Sequence, residues 1–207
     1  MSEQTVQNKE ILILEAAERE FVQKGYGGAR TTSIAKAAGV THAMLHYYFR
    51  TKEQLFNRII DKKMSEIVPL ITHLFGNGSL PLEERIKEAI SIHYDFIVAN
   101  PELPRFLLNE VLPNKERCGI LKSKAANVFD QLGHLQDEVD KAASNGEIEN
   151  FNVLMLFQSI LFLNICSIMA TPFTENILGD NTTTKEALIA ARKAENIETI
   201  MRRIKKI

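Results

Sequence analysis

A length of 207 residues, 45% of them hydrophobic, with ten Gly, six Pro and no Trp, suits one or two helical domains with a real core. The net charge of −1 excludes a generally basic surface, so any affinity for a polyanion has to come from a local patch: residues 1–60 hold eight Lys/Arg against six Asp/Glu, and the remainder holds 17 against 20. Cys118 and Cys166 are isolated thiols without CxxC spacing, which read first as buried packing, with a redox-sensing pair as the alternative that nothing in the spacing supports.

Residues 1–8 are polar and include Glu3, and the apolar run at 11–14 is too short for a signal peptide, so a cytoplasmic protein is expected. The first helix carries Ile11, Leu14, Ala17 and Phe21 on one stripe. From Phe21 to Lys52 there is no Asp or Glu, although carboxylates make up 26 of the 207 residues, and Lys24, Arg30, Lys36, Arg50 and Lys52 lie in that window. Acids are kept out of one surface. Within it, Thr31 or Thr32 can cap a short helix whose inner face is Ile34 and Ala35, and Ala38 is small enough to let two helices cross closely. Gly39 turns the chain through the left-handed region, and Val40 supplies the apolar contact that closes such a turn. A second helix opens at Thr41. Leu45 and Phe49, four residues apart, anchor one face of it, so Thr41, His42, Ala43 and His46 or Tyr47 point away from the core. Helix, tight turn and helix in an acid-free window, with hydroxyl, imidazole and phenol groups outward, read as a DNA-reading element.

Over residues 8–60 the order of features resembles the N-terminal domain of the TetR (tetracycline-repressor) family of bacterial transcriptional regulators: an amphipathic first helix, Gly25-Tyr26, Ile34-Ala35-x-x-Ala38-Gly39-Val40, then Leu45-x-Tyr47-x-Phe49-x-x-Lys52-Glu53-x-Leu55. His42 stands where that family usually has a basic or small residue, Arg30 where a Ser or Thr cap is common, and His46 where Tyr is frequent. Thr41, His42, Ala43, Met44 and His46 are the candidate base contacts, since hydroxyl and imidazole groups can hydrogen-bond base edges and the Ala43 methyl can meet a thymine methyl. Thr31, Thr32, Tyr47 and Lys52 are the candidate phosphate contacts, the last two because the family uses a Tyr and a Lys at matching places. His42 and His46 are also an i, i+4 pair at a spacing that could hold a divalent metal; no third ligand of the right type lies nearby, and neither metal nor cofactor is expected.

Beyond the head, Thr51 to Gln54 fits a capping box for a fourth helix running to about Phe75, with Pro69 expected to kink it or mark a short last segment. Residues 76–79 read as a loop. A helix over 81–100 follows, with Leu82, Ile86, Ala89, Ile90, His93 and Ile97 on one face, and the segment from Pro101 to Pro104 breaks it. A short helix over 105–112 and a long one reaching Ser144 come next, the latter with Val128, Leu132, Leu135, Val139 and Ala142 in register. Residues 153–170 are apolar all round. Gln158, Ser159, Asn164 and Ser167 interrupt them and no basic cluster flanks them, so the segment reads as a helix buried by protein rather than a membrane span. A second capping box spans Thr183 to Glu186, and the last helix has Ile197, Ile200, Ile204 and Ile207 in a stripe, ending in Arg202, Arg203, Lys205 and Lys206 at its negative dipole end. The expected fold is all-α with about nine helices, divided into a helix-turn-helix domain at 1–50 and an effector-binding and dimerisation domain at 51–207.

Ser159, Leu163, Cys166 and Ala170, partly small, and Ile197, Ile200 and Ile204 are the candidate dimer seam; the resemblance implies that these two helices pair with their two-fold mates as a four-helix bundle. It also implies an effector pocket among the helices between about 80 and 145, for which His93, Tyr94, Phe96, Phe106, Asn109, Phe129 and Phe162 are candidates. Catalysis has no support: residues 25–28 lack GxGxxG spacing, and neither GxxxxGK[ST] nor HExxH occurs. The expected protein is not an enzyme but a ligand-responsive homodimeric regulator, in this family most often a repressor, with a palindromic double-stranded DNA operator, a second copy of itself and an unidentified small-molecule effector as partners. The alternative is an all-helical small-molecule-binding or enzymatic protein that retains its head as a scaffold.

Overall fold

The computed structural model describes residues 3–76, 80–178 and 184–204. Among them lie eleven α-helices and no strand: α1 (Glu3–Gly28), α2 (Thr31–Ala37), α3 (His42–Tyr48), α4 (Lys52–Gly76), α5 (Leu82–Ala99), α6 (Leu103–Phe106), α7 (Lys115–Lys124), α8 (Ala126–Ser144), α9 (Val153–Met169), α10 (Thr171–Leu178) and α11 (Lys185–Ile204). A π-helical turn, Leu107–Val111, follows α6 and is closed by the Leu112 amide donating to Leu107 O at 2.9 Å.

The all-α class is as expected, with two helices more than nine. The long helix before Ser144 divides at Ala125 (φ −88°, ψ 1°), where neither Pro nor Gly marks the break. After α9, Pro172 has no N–H to continue the ladder, and a new short helix begins at Thr171. Pro69, by contrast, lies inside a continuous α4. The Thr51 hydroxyl accepts from the Gln54 amide at 3.0 Å, as the capping box requires. At α11 the cap is Thr184, whose hydroxyl accepts from the Ala187 amide at 3.2 Å. Thr183, the residues 77–79 read as loop, and the last three residues, 205–207, lie outside the described residues. At α2 the capping position belongs to Arg30, in extended conformation and without a side-chain cap, so Thr31 and Thr32 are already helical.

The chain forms two compact units, Met1–Glu66 with Arg105–Lys124, and Ile67–Pro104 with Ala125–Ile207. In the first, Ile13, Ala17 and Phe21 of α1 are buried with Ile34, Leu45, Leu55 and Phe56. Ile11, expected on that stripe, is 48% exposed, and Ile13 takes the inward place. Lys63 of α4 reaches Glu18 of α1 at 2.8 Å. Gly25 breaks α1 with φ 67°, a conformation that favours glycine; a Cβ there would stand 2.6 Å from the flexible end of Glu110, which could turn aside.

In the second unit α5, α9 and α11 pack mutually and α8 lies on α9. Ile200 and Ile204 are 4% and 2% exposed within this unit, so these two proposed seam residues are core residues of their own chain. α9 is apolar all round but covered on one side: Leu154, Met155, Phe162 and Met169 remain exposed. Cys166 is exposed on that helix and Cys118 half-buried, so neither is the buried packing residue expected. None of the described helices is long and apolar enough to cross a membrane.

A chain of buried polar groups crosses the second unit. Asn196 Nδ2 donates to Asn164 Oδ1 at 3.0 Å and to Ser167 Oγ at 3.1 Å, while Asn164 Nδ2 donates to Ile90 O at 3.0 Å and lies 3.1 Å from His93 Nδ1. Burial pushes the His93 imidazole down to about 4, because the charged form would lose its water. The native pKa lies below the unfolded one, so the unfolded chain binds the extra proton between them. The stability from a neutral His93 is therefore present above pH ~6.5 and lost as the pH falls towards 4, by about 3 kcal/mol. Urea unfolding at pH 7 and pH 4.5 is expected to show that loss in the wild type and a loss smaller by about 2 kcal/mol in His93→Gln, which removes the titration while other groups still contribute. Equal losses in both would mean that His93 is solvated.

Candidate nucleic-acid interface

The turn between α2 and α3 is built from backbone hydrogen bonds. Gly39 (φ 66°) follows Ala38; its amide donates to Lys36 O at 3.2 Å, and the Val40 amide donates to Ala35 O at 3.0 Å. Thr41 then caps α3, its hydroxyl accepting from the Met44 amide at 3.2 Å. Leu45 and Phe49 are buried and fix the rotation of the helix. What remains outward is the candidate set: Thr41, His42, Ala43, His46 and Tyr47 are exposed, the last by 81%, whereas Met44 is half-buried.

Polar contacts order this face. His42 Nε2 lies 3.0 Å from Thr31 Oγ1 and 3.1 Å from His46 Nε2, and His46 Nδ1 lies 3.3 Å from Arg50 O. Thr32 is exposed on α2 and Thr31 half-buried. Tyr47 meets Tyr48 edge-on, with ring centroids 5.5 Å apart. Lys52, at the start of α4, sets its ammonium 4.6 Å from the centroid of Tyr26.

Beneath Lys52 lies a cluster that local sequence reasoning missed. Arg117 of α7 makes a two-pronged contact with Glu53, Nε to Oε1 and Nη2 to Oε2, both 2.9 Å, and donates from Nη1 to Glu110 O at 3.0 Å. Its guanidinium lies 3.9 Å from the Tyr26 ring centroid and 4.3 Å from that of Phe56. Tyr26, Phe21, Phe56 and Phe106 complete the aromatic packing, with Phe56 and Phe106 at 4.9 Å. The hydrogen bonds from Arg117 hold the Glu53 carboxyl below the usual range; Glu53 in turn pushes the Arg117 guanidinium up, and burial followed by Glu53 pushes the Tyr26 phenol up. Glu53 and Arg117 are thus an ionised, fixed pair beside a neutral Tyr26, and they hold the first turn of α4. Glu53 and Arg117 are 64 residues apart, so no local spacing could have paired them.

The candidate effector residues do not gather. Phe106 packs with Phe56 in the first unit, and Asn109 is exposed there. In the second unit His93 and Tyr94 are buried and Phe96 is half-buried, whereas Phe129 and Phe162 are exposed. His93 lines a narrow crevice with Ile71, Ala89, Phe157, Ile160 and Leu161. Of the candidate seam, Cys166 and Ala170 are exposed, and Ser159, Leu163 and Ile197 are half-buried. Among the described residues no three His, Cys, Asp or Glu side chains are grouped to hold a metal ion.

Residues 13–59, the span holding α2, α3 and the start of α4, match the model of the tetR family of bacterial regulatory proteins. Over these residues the chain is similar to the TetR family. It is 27% identical over 134 residues to the HTH-type transcriptional regulator YdgC of Bacillus subtilis, covering 62% of this chain and 69% of that one. With the HTH-type transcriptional repressor SCO4008 of Streptomyces coelicolor it shares 32% identity over 99 residues, and there the chain spans about half the relative's length, 47% of each. The fold is shared with the crystal structure of the transcriptional regulator FadR from Bacillus subtilis in complex with stearoyl-CoA, with a TM-score of 0.67 over 92% of this chain and 97% of that one at 19% identity. The comparisons thus agree on a TetR-like helix-turn-helix head followed by a helical domain.

Proposed function

We propose that the protein is a homodimeric repressor that reads an inverted-repeat operator with α3 and releases it when a small molecule enters the second unit. The observation that carries the reading is the outward face of α3: Thr41, His42, Ala43, His46 and Tyr47 exposed on a helix whose other side is pinned by Leu45 and Phe49, in a window without a carboxylate. Thr41, His42, Ala43 and His46 meet base edges, with Met44 beneath them, and Thr31, Thr32, Tyr47 and Lys52 hold phosphates. Residues 1–50 form the reading domain, and residues 51–207 serve dimerisation and the effector.

Dimerisation rests on α9, where Met155, Phe162, Cys166 and Met169 form an exposed row at helical spacing that a second copy would cover. The effector is a molecule with an apolar body. Support comes from the stearoyl-CoA bound by the structural relative FadR; the crevice beside His93, of about 10 Å³, would have to open to admit such a molecule. The repressor sense is supported by the likeness to SCO4008.

Lys52→Ala is expected to weaken binding to every duplex and to lower the salt slope of log K by about one unit, as loss of one phosphate contact does. His42→Ala is expected to leave that slope and to cost about 1–3 kcal/mol of discrimination at particular base positions. Fluorescence anisotropy across a salt series separates the two. If all binding is non-specific and erased by moderate salt, the head is a scaffold and the regulator reading fails.

A further inference from the structure

We infer that His42 and His46 form a binding site for a late first-row divalent cation on the reading face of α3, and that its occupancy competes with DNA. The two Nε2 atoms are 3.1 Å apart. A metal bound to two imidazoles at ~2.0–2.1 Å each needs them roughly 2.9–3.4 Å apart, from the octahedral to the tetrahedral angle, so the pair is already at the right separation. The rings stand at 85° with centroids 4.4 Å apart, so chelation requires a rotation about the outer side-chain torsion to aim both nitrogens at one point.

The hydrogen bonds prepare the site. With the Nδ1–H of His46 donating to Arg50 O, its Nε2 carries the lone pair, and the ring is held as a second-sphere contact holds a metal-ligating histidine. His42 Nε2 then shares its proton with His46 or with Thr31 Oγ1. Binding moves that proton to Nδ1 of His42 on the solvent side, with no net charge change in the protein, and water fills the remaining positions. Thr31 Oγ1, 3.0 Å from His42 Nε2, is placed to accept from one such water. Two neutral nitrogens and no carboxylate between Phe21 and Lys52 select Zn, Ni and Cu ions over Mg or Ca, which require oxygen ligands. Bound metal consumes the imidazole edges that would otherwise face bases. The competition, though not the site itself, rests on the DNA-reading assignment.

The test is calorimetric titration of the full chain, in a Cys118→Ser/Cys166→Ser background that removes thiol ligands, with NiCl2 and ZnCl2. One ion per chain is expected, weakened at least tenfold by His42→Ala and by His46→Ala alike, since either removes the chelate; MgCl2 gives no heat of binding. Smaller losses, or an unchanged site in the double variant, would overturn the metal assignment. In a second arm, saturating NiCl2 is expected to weaken binding to a duplex selected by the protein at least tenfold, reversibly with EDTA, and to leave residual binding by the His42→Ala/His46→Ala variant unchanged. Metal bound with undiminished DNA affinity would overturn the competition. Metal binding needs no DNA, so its failure and failure of the regulator reading are separate results.

Discussion

Arg117→Ala is expected to destabilise the first unit by about 2–4 kcal/mol, a fall in Tm of roughly 5–15 °C for a chain of this size. The arginine side chain is 7% exposed and is held from three sides: two charge-assisted hydrogen bonds to Glu53, one to Glu110 O, and the faces of Tyr26 and Phe56. Glu53 is 34% exposed and can be rehydrated once alone, which keeps the effect below that of a fully buried pair. Removing the guanidinium also leaves the Glu110 carbonyl without that donor and opens a gap over two rings. Arg117→Lys is expected to recover less than half of the loss, because an ammonium cannot make the forked contact or lie flat on an aromatic ring. Thermal unfolding followed by circular dichroism measures both. A loss under 1 kcal/mol in Arg117→Ala would mean that the guanidinium is solvated in solution.

Phe162→Asp is expected to separate the proposed dimer while leaving the subunit folded. The ring is 63% exposed in the single chain, so its removal costs the subunit little; across a two-fold axis, two such rings would each lose burial worth about 2–3 kcal/mol, and two carboxylates would be brought together. The dimer dissociation constant is expected to rise by about a thousandfold or more, from the loss of roughly 4 kcal/mol. Light scattering coupled to size exclusion at micromolar concentration reads the mass, and circular dichroism reads the fold. A variant that stays dimeric with the wild-type constant would place the seam on another face of the unit.

The head was legible because its determinants are local. Gly39 with Val40, the Thr41 cap, and Leu45 with Phe49 each act over five residues or fewer, within reach of helix geometry. Where several choices satisfied the same pattern, the sequence could not decide. Residues 11–14 are all apolar, so periodicity alone did not choose Ile13 over Ile11 for the core. Ile200 and Ile204 lie on an apolar stripe, and a stripe does not distinguish a helix packing on its own unit from one awaiting a second copy. The break at Ala125 carries no breaker residue. Placement of Arg105–Lys124 with the head depends on contacts such as Arg117 to Glu53 and Phe106 to Phe56, which join segments about fifty or more residues apart and arise only from tertiary packing.

Selection of binding sites from a randomised duplex pool, followed by footprinting of the enriched sequence, tests the central claim that α3 reads DNA as one of a symmetric pair. The expected result is an inverted repeat with half-site centres one helical turn or slightly more apart, roughly 34 Å or beyond, whose specific affinity is mostly lost when one arm is scrambled. A pool that fails to enrich, or a single asymmetric half-site bound as tightly as the full repeat, would contradict it.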